Sequence, residues 1–297
     1  MGQEMLADLA VRISLAMPRG GYRLLAALSK LLPKLRKFPI TMPVAPDVKL
    51  EADLAESVFF PLLKYGLYPH QVTEDLIVVA FLKEGDWVVD VGANIGYFSL
   101  LCADCIAGGV VHSFEPSATS FKYLRQVASQ TKQVRPWQLA VSSSSGMLRF
   151  IDEAMSDLSH VADRQDRRGY LVECCTIDSW AAANKIERVD FIKVDTEGHE
   201  IHVIEGARGV IGLRQPVVEF EAIDMDAVQS VYDILQRQNS AAGYKIYRCH
   251  NQYPLSGHGG VAKTNNWFAI PDARSPVFPE FLFRRGFLAS TRFGGGR

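Results

Sequence analysis

The stretch that decides the fold is VDVGANIG, residues 89–96. Trp87 and Val88 precede it, so a β-branched and aromatic run typical of an interior parallel strand leads into the glycine turn. The segment that begins at Tyr97 has apolar residues at helical spacing. A strand, a glycine turn and a helix in this order are typical of a nucleotide-type cofactor site. Glycine lets a ligand approach the backbone, and the helix N-terminus favours a polar or anionic group.

A carboxylate ends the next predicted strand. Val110–Phe114 leads into Glu115 and Pro116, and Glu115 lies nineteen residues beyond Gly96. This is close to the spacing at which such folds place an acid on ribose hydroxyls. The glycine pattern is G-x-x-x-G, without the G-x-G turn that holds a diphosphate, and no GK[ST] follows it. The sequence therefore predicts a ligand with a ribose and no diphosphate, rather than NAD or ATP.

Three separated segments carry a resemblance to a known family. They are GDWVVDVGANIGYFSL from Gly85, VHSFEPSATSFKYLR from Val111 and DFIKVDTEGHEIHVIEGA from Asp190. In this order they resemble the FkbM-type S-adenosylmethionine-dependent methyltransferases, a branch of the Rossmann-like methyltransferases. QLAVSSSSGMLRF from Gln138 resembles the third strand of these proteins and the turn after it. The resemblance covers about half of the chain, roughly residues 71–221, and implies that S-adenosylmethionine is the cofactor.

The alternation of strand and helix patterns predicts an α/β fold. We expect a Rossmann-like, seven-stranded methyltransferase sheet, mostly parallel with helices on both faces, and an N-terminal helical extension. The predicted strands are Trp87–Val91, Val110–Phe114, Val134–Ala140, Phe191–Asp195, Pro216–Glu221, Tyr244–Arg248 and Trp267–Ile270. No convincing helix separates the last two strands, which should form an antiparallel finish.

The domain organisation follows from the same pattern. We expect an N-terminal helical extension and linker over residues 1–48, a methyltransferase domain over 49–275 and a C-terminal tail over 276–297. Prolines between residues 33 and 48 indicate the linker. An irregular insertion over residues 142–175 should contain a hairpin around Gly146.

Ligands of doubly wound sheets bind beyond the carboxyl ends of the strands. In this chain, acidic residues follow several of the predicted strands. By resemblance, Glu115 would accept hydrogen bonds from both ribose hydroxyls, Ala140 would lie near the adenine, and Asp195 would lie near the amino acid end or the methyl group. At the end of strand five, either Glu219 or Glu221 would be the functional acid. The residues predicted to bind the cofactor are Asp90, Gly92, Ala93, Asn94, Gly96, Glu115, Pro116, Ala140 and Asp195.

Transfer to an alcohol also requires a proton acceptor. The predicted catalytic residues are Asp195, Glu197 and His199, with His160 as an outside candidate, although a histidine at a helix start is often only a surface residue. Asp195, Glu197, His199 and Glu200 would also suit a metal ion. Successive side chains at a strand-to-helix junction should point apart, however, and we predict no metal site.

Composition restricts the partners. A net charge of −1 provides no field that would attract a polyanion, so we expect a small-molecule or carbohydrate acceptor and no nucleic acid. The five cysteines fit neither an even disulfide framework nor a pair of metal knuckles, and reduced cysteines indicate the cytoplasm. Residues 12–37 are basic without an acid, as in helices that lie on an anionic membrane surface or dock a partner. The simpler interpretation, which we favour, is a helix that caps the main domain with a solvated basic face.

The predicted function is S-adenosylmethionine-dependent O-methylation of a hydroxyl on a sugar, glycolipid or secondary metabolite. A nicotinamide-dependent oxidoreductase is one alternative, although the chain lacks the diphosphate turn that it would need. A noncatalytic binding protein of the same fold is the other alternative. The intact set of Gly92, Asn94, Gly96, Glu115 and Asp195 argues against it.

Overall fold

The computed structural model of the chain describes residues 2–152, 159–162, 168–238, 242–250, 263–275, 279–284 and 287–290. Its helices are α1 (Gly2–Ala16), α2 (Gly21–Ser29), α3 (Phe59–Tyr65), α4 (Val72–Phe81), α5 (Tyr97–Cys105), α6 (Ala118–Gln130), α7 (Ile177–Ala183), α8 (Glu200–Glu205), α9 (Arg208–Arg214), α10 (Met225–Gln238) and α11 (Glu280–Arg284), with a 3-10 helix over Pro33–Lys37. Its strands are β1 (Phe38–Met42), β2 (Ala45–Ala52), β3 (Trp87–Val91), β4 (Val110–Phe114), β5 (Val134–Trp137), β6 (Ala140–Val141), β7 (Gly146–Ile151), β8 (His160–Val161), β9 (Tyr170–Cys175), β10 (Phe191–Val194), β11 (Val217–Glu221), β12 (Lys245–His250), β13 (Lys263–Ile270) and β14 (Leu288–Ser290). Within the described residues, no helix has the length and apolar character of a membrane span.

The main sheet is α/β and mostly parallel, as predicted. Its strand order is β14-β12-β13-β11-β10-β3-β4-β5. The run from β11 to β5 is parallel throughout, whereas β13 pairs antiparallel with both β11 and β12. Strand order reverses between β3 and β10, and this switch point is where such sheets place a ligand.

The main sheet has eight strands within the described residues, not the predicted seven. The additional strand is β14, which pairs antiparallel with β12 and lies in the segment that we assigned to a C-terminal tail. A strand of three residues is too short to show a readable alternation of apolar residues. The domain boundaries at residues 48 and 275 stay predictions.

The parallel strands bury apolar side chains on both faces. Val88, Val111 and Phe191 pack on one face together with residues of α4 and α5. Val89 and Ile192 pack on the other face, together with residues of α7 to α10. Burial on both faces explains why these strands are nearly continuous apolar runs in the sequence.

The predicted strand Val134–Ala140 is divided between two sheets. Its first part, β5, is the edge of the main sheet, and the chain then leaves to form β6 in a second sheet with strand order β6-β9-β7-β8. The predicted hairpin around Gly146 is wrong, because β6 and β7 lie on opposite sides of β9. The pairing partner comes from about thirty residues downstream, where a local turn pattern gives no information.

The predicted linker over residues 33–48 is wrong, because that segment is ordered as the 3-10 helix and the hairpin of β1 and β2. Pro39 and Pro46 lie within the two strands. They are tolerated because both strands of a two-stranded ribbon are edges, where a missing N–H need not break a ladder.

The N-terminal segment packs on the main domain. The backbone N–H of Glu51 donates to Gln126 Oε1 at 2.9 Å, and that of Asp53 donates to the Tyr123 hydroxyl at 3.1 Å, which fixes β2 against α6. Leu25 and Leu35 are buried in the same apolar cluster as the main sheet. The basic segment over residues 12–37 forms the end of α1, α2 and the 3-10 helix rather than one helix, because Pro18 and Gly20 interrupt the pattern.

Candidate active site

A cavity of about 370 Å³ opens at the carboxyl ends of β3, β4, β10 and β11, within the size range of small-molecule sites. Most of the predicted site residues form its wall: Gly92, Ala93, Asn94, Glu115, Pro116, Ala140, Asp195, Glu197 and His199. Among the described residues, Asp90, Gly96 and the outside candidate His160 are not in this wall. The strand tips therefore converge on one site.

The glycine turn is shaped by protein contacts. The N–H groups of Gly92 and Ala93 both donate to the Phe114 carbonyl, at 3.0 and 2.9 Å. A Cβ at Gly92 would lie 1.8 Å from the carbonyl oxygen of Asp195. At Gly96 it would lie 3.0 Å from Leu124 of α6. The two glycines therefore let β3, β4, β10 and α6 approach one another. The role predicted for this turn in cofactor binding stays a prediction.

Glu115 connects the second strand to the glycine turn. Its Oε2 accepts from the Asn94 N–H and its Oε1 from the Ser117 N–H, both at 2.8 Å. Burial raises the pKa of Glu115 to about 7, against the lowering effect of these two hydrogen bonds. Each carboxylate oxygen has a further lone pair, so the side chain can still accept a hydrogen bond from each hydroxyl of a diol.

Asp90 and Glu219 form a buried polar row with Lys193 beneath the site. Register places Asp90 and Glu219 on either side of Lys193. Asp90 Oδ2 accepts from the Ser99 hydroxyl at 2.6 Å, and burial raises the pKa values of both Asp90 and Glu219. Of the two acids considered at the end of β11, the cavity wall contains Glu221, whereas Glu219 is buried within the strand.

Asp195 pairs with the lysine of this row. Lys193 Nζ lies 2.6 Å from Asp195 Oδ2 and 5.1 Å from the centre of the Phe98 ring. Burial alone lowers the pKa of Lys193, but the carboxylates of Asp195, Asp90 and Glu219 outweigh it and raise the pKa above its ordinary value. The lysine was not among the predicted site residues, although a lysine inside the apolar strand FIKV indicates a buried charge that needs an acidic partner.

The turn after β10 is held by Glu200. Its Oε1 accepts from the N–H and hydroxyl of Thr196 and from the Gly198 N–H, at 3.0, 3.1 and 3.0 Å. Glu197 adopts a positive φ of 53° in this turn. Glu200 therefore holds the turn, and it is not in the cavity wall.

The turn brings together carboxylates that we expected to point apart. Oxygens of Asp195, Glu197 and Glu221 lie within 4.8 Å of one another, so the geometric reason given against a metal site is wrong for Asp195 and Glu197. This group of oxygens has the chemistry that hard cations such as Mg²⁺ and Ca²⁺ prefer. The absence of a metal site stays a prediction.

His199 stands immediately before α8, as predicted, and is held in place. Its Nε2 lies 2.9 Å from the Ser142 hydroxyl, and its ring lies 4.6 Å from that of His202. Burial, with a smaller contribution from His202, lowers the pKa of His199 to about 4. The imidazole is therefore neutral near pH 7 and a weak proton acceptor.

The opposite wall comes from a segment that showed no pattern. It consists of residues of α3 and of the loops on either side of it, with Asn266 of β13: Ser57, Val58, Pro61, Tyr68, His70, Gln71 and Asn266. Asn266 Nδ2 donates to Glu74 Oε1 at 2.9 Å, which ties β13 to α4. These residues are close to the site only because of long-range packing.

The side chains that line the cavity fit the cofactor that the resemblance implies. A buried carboxylate with spare lone pairs suits a ribose diol, while Phe114, Leu139, Val141 and Phe150 give an apolar wall for a purine. The carboxylates of Asp195, Glu197 and Glu221 form an acidic wall suited to a cation such as a sulfonium.

Comparison with known proteins supports the same family. The family described as "Methyltransferase FkbM domain" matches residues 90–246, just over half of the chain. The chain is 28% identical over 126 residues to hexuronic acid methyltransferase AglP of Haloferax volcanii, which is 42% of this chain and 51% of that protein. It is 44% identical over 69 residues to 31-O-demethyl-FK506 methyltransferase FkbM of Streptomyces tacrolimicus, 23% of this chain and 26% of that protein. The matches thus span about half or less of these curated relatives.

A solved structure resembles the chain more loosely. The methyltransferase FkbM of Methylobacillus flagellatus KT is 16% identical, with a TM-score of 0.47, over 84% of this chain and 62% of that chain.

Proposed function

The chain belongs to the FkbM methyltransferase family, and on this premise we propose that it transfers the methyl group of S-adenosylmethionine to a hydroxyl of a sugar, glycolipid or secondary metabolite. The observation that carries the proposal is the convergence of the glycine turn, Glu115 and Asp195 on one cavity. The relatives named for a hexuronic acid and for 31-O-demethyl-FK506 support an oxygen acceptor on a carbohydrate or a natural product.

Each end of the cofactor has a proposed partner. S-adenosylmethionine supplies an electrophilic methyl group on a sulfonium. Glu115 would accept hydrogen bonds from both ribose hydroxyls, and Ala140 would lie against the adenine beside Leu139. Asn94 lies beside Glu115 and would contact the ribose or the amino acid portion, together with Gly92.

The catalytic step needs alignment and a proton acceptor. Alignment of the hydroxyl, methyl and sulfur supplies several kcal/mol of the barrier. Of the predicted bases, His199 is weakened by its low pKa of about 4, and Asp195 is engaged by Lys193. Glu197, the third predicted base, lines the same cavity. We add Glu221, whose pKa is raised by burial toward the range of an effective general base.

Calorimetry with S-adenosylhomocysteine tests the cofactor assignment. Glu115→Ala should weaken binding by roughly 1–3 kcal/mol, because the ribose hydroxyls lose their acceptor. The exposed Glu187→Ala is the matched control and should bind like the wild type. Unchanged affinity in Glu115→Ala would remove the ribose role from this residue.

Transfer of a labelled methyl group tests the acceptor class. Extracts incubated with methyl-labelled S-adenosylmethionine should yield a labelled carbohydrate or small molecule, identified by mass spectrometry. Label found only in RNA, DNA or protein would contradict the proposed acceptor. We also propose that the protein acts in the cytoplasm on a small-molecule or carbohydrate acceptor and not on nucleic acid.

The alternatives predict other outcomes. A nicotinamide-dependent oxidoreductase would have to bind a diphosphate, yet the N–H groups of Gly92 and Ala93 are engaged by the Phe114 carbonyl. NADH binding without S-adenosylhomocysteine binding would favour that function. Tight S-adenosylhomocysteine binding without transfer to any extract would favour a noncatalytic binding protein.

A further inference from the structure

Helix α1 is apolar on two opposite sides. Ala7, Ala10 and Val11 face inward and pack in the core. Large apolar side chains on the outward side are half or more exposed: Met5 69%, Leu6 49%, Leu9 52% and Ile13 49%. These four residues are called the outer stripe. At the helical spacing they fall within an arc of roughly 100° opposite the buried side.

Charged residues of α1 do not interrupt the outer stripe. Glu4, Asp8 and Arg12 follow one another at four-residue spacing and therefore share one flank of the helix. Lys34 Nζ of the 3-10 helix lies 3.1 Å from Glu4 Oε1, so one of the two acids has a basic partner.

The N-terminal segment that carries the outer stripe is basic. Residues 1–37 contain seven basic and two acidic residues, a net charge of +5, whereas the whole chain carries −1. Leu31 adds a further apolar side chain that is 75% exposed. The basic side chains of this segment are all exposed: Arg12, Arg19, Arg23, Lys30, Lys34, Arg36 and Lys37.

We propose that the outer stripe docks on an anionic lipid bilayer. A helix with one side packed on its own protein lies parallel to the surface that it contacts. Apolar side chains that enter the headgroup boundary, with basic residues beside them, are the combination that binds anionic membranes peripherally. The positive charge of residues 1–37 favours an anionic bilayer over a second copy of the chain, because a second copy would bring the same +5 segment against itself.

Helix α3 connects the N-terminal segment to the cavity wall. Lys64 of α3 donates to the Met17 carbonyl at 2.7 Å, and the Phe60 ring lies 6.2 Å from that of Tyr22. Val58 and Pro61, beside and on the same helix, line the cavity. Docking itself does not depend on the proposed function.

Vesicle flotation of the full chain tests the docking. The wild type should float with phosphatidylcholine vesicles that contain phosphatidylglycerol, float poorly with phosphatidylcholine alone, and be released by high salt. Leu9→Gln with Ile13→Gln, and separately Arg19→Glu with Arg23→Glu, should each lower the affinity about tenfold or more. Calorimetric binding of S-adenosylhomocysteine should be unchanged in all of these variants, which separates this test from that of the cofactor site.

Matched controls lie on the face of the main sheet that packs against α7 to α10. Leu213 and Ile223 are 78% and 82% exposed, and Lys185 and Arg214 are exposed basic residues. The same glutamine and glutamate substitutions there should leave flotation unchanged. Absence of wild-type flotation, or flotation that survives the outer stripe substitutions, would overturn the proposal. A dimer that dissociates on Leu9→Gln with Ile13→Gln, without vesicle binding, would assign the stripe to a second copy.

Discussion

At the scale of single residues, Glu115 decides what the cavity can bind. Its position after the second strand was predictable, because an acid at this distance from a glycine turn has a defined role in such folds. Its two hydrogen bonds to the N–H groups of Asn94 and Ser117 were not predictable, since they depend on the relative placement of two loops.

Cofactor binding should depend on pH through Glu115. Because burial raises its pKa to about 7, the carboxyl gains a proton as pH falls through that value and becomes a poorer acceptor of hydroxyl hydrogen bonds. We expect S-adenosylhomocysteine to bind roughly tenfold more weakly at about pH 6 than at about pH 8. Glu115→Gln should bind weakly with little pH dependence; calorimetry of both proteins checks this, and an equally pH-dependent variant would exclude Glu115 as the titrating group.

Alanine substitutions at Gly92 and Gly108 should distinguish the cost of backbone strain from the cost of steric crowding. Both have positive φ, 83° and 78°. A Cβ at Gly92 would collide with the Asp195 carbonyl, whereas nothing lies within 4 Å of one at Gly108. Gly108→Ala should cost about 1 kcal/mol from strain, and Gly92→Ala about 1–3 kcal/mol more from crowding. Urea denaturation measures both, and equal losses would contradict the close approach of the two loops.

At the scale of elements, most core strands and helices could be predicted and their partners could not. The apolar runs of β3, β4, β10 and β11 identify interior strands because both faces are buried. The break between β5 and β6 was missed, because Ala140 pairs with Cys174 of the distant β9. The wall formed by Tyr68, His70 and Gln71 was missed for the same reason.

The turn between β10 and α8 should depend on Glu200. Glu200→Ala removes the acceptor of two N–H groups and one hydroxyl, and we expect a loss of about 1–3 kcal/mol of unfolding free energy. Activity should fall further, because the turn carries Glu197. Glu205→Ala, on the exposed side of the same helix, is the control for chemical denaturation. Wild-type stability in Glu200→Ala would show that the turn holds without it.

At the scale of the whole molecule, the N-terminal segment and the main sheet share a core. Leu25 and Leu35 belong to the apolar cluster that contains Val88 and Phe191. The sequence predicted the helices but assigned residues 33–48 to a linker, because prolines usually interrupt regular structure. Edge positions of a two-stranded ribbon accept them.

Tryptophan fluorescence should report the loss of an N-terminal side chain. The four tryptophans lie in the main domain, at positions 87, 137, 180 and 267. Leu25→Ala should lower the unfolding free energy by about 2–5 kcal/mol, with fluorescence and circular dichroism shifting together. Leu31→Ala, at a 75% exposed site, should change it little. A fluorescence transition unmoved by Leu25→Ala would mean that the segment unfolds independently.

The most direct test of the central claim is a crystal structure of the chain with S-adenosylhomocysteine. We expect the ligand in the cavity between β3 and β10, with its two ribose hydroxyls bonded to the Glu115 carboxylate and its sulfur toward Asp195. A ligand bound elsewhere, or a ribose that makes no hydrogen bond to Glu115, would contradict the account.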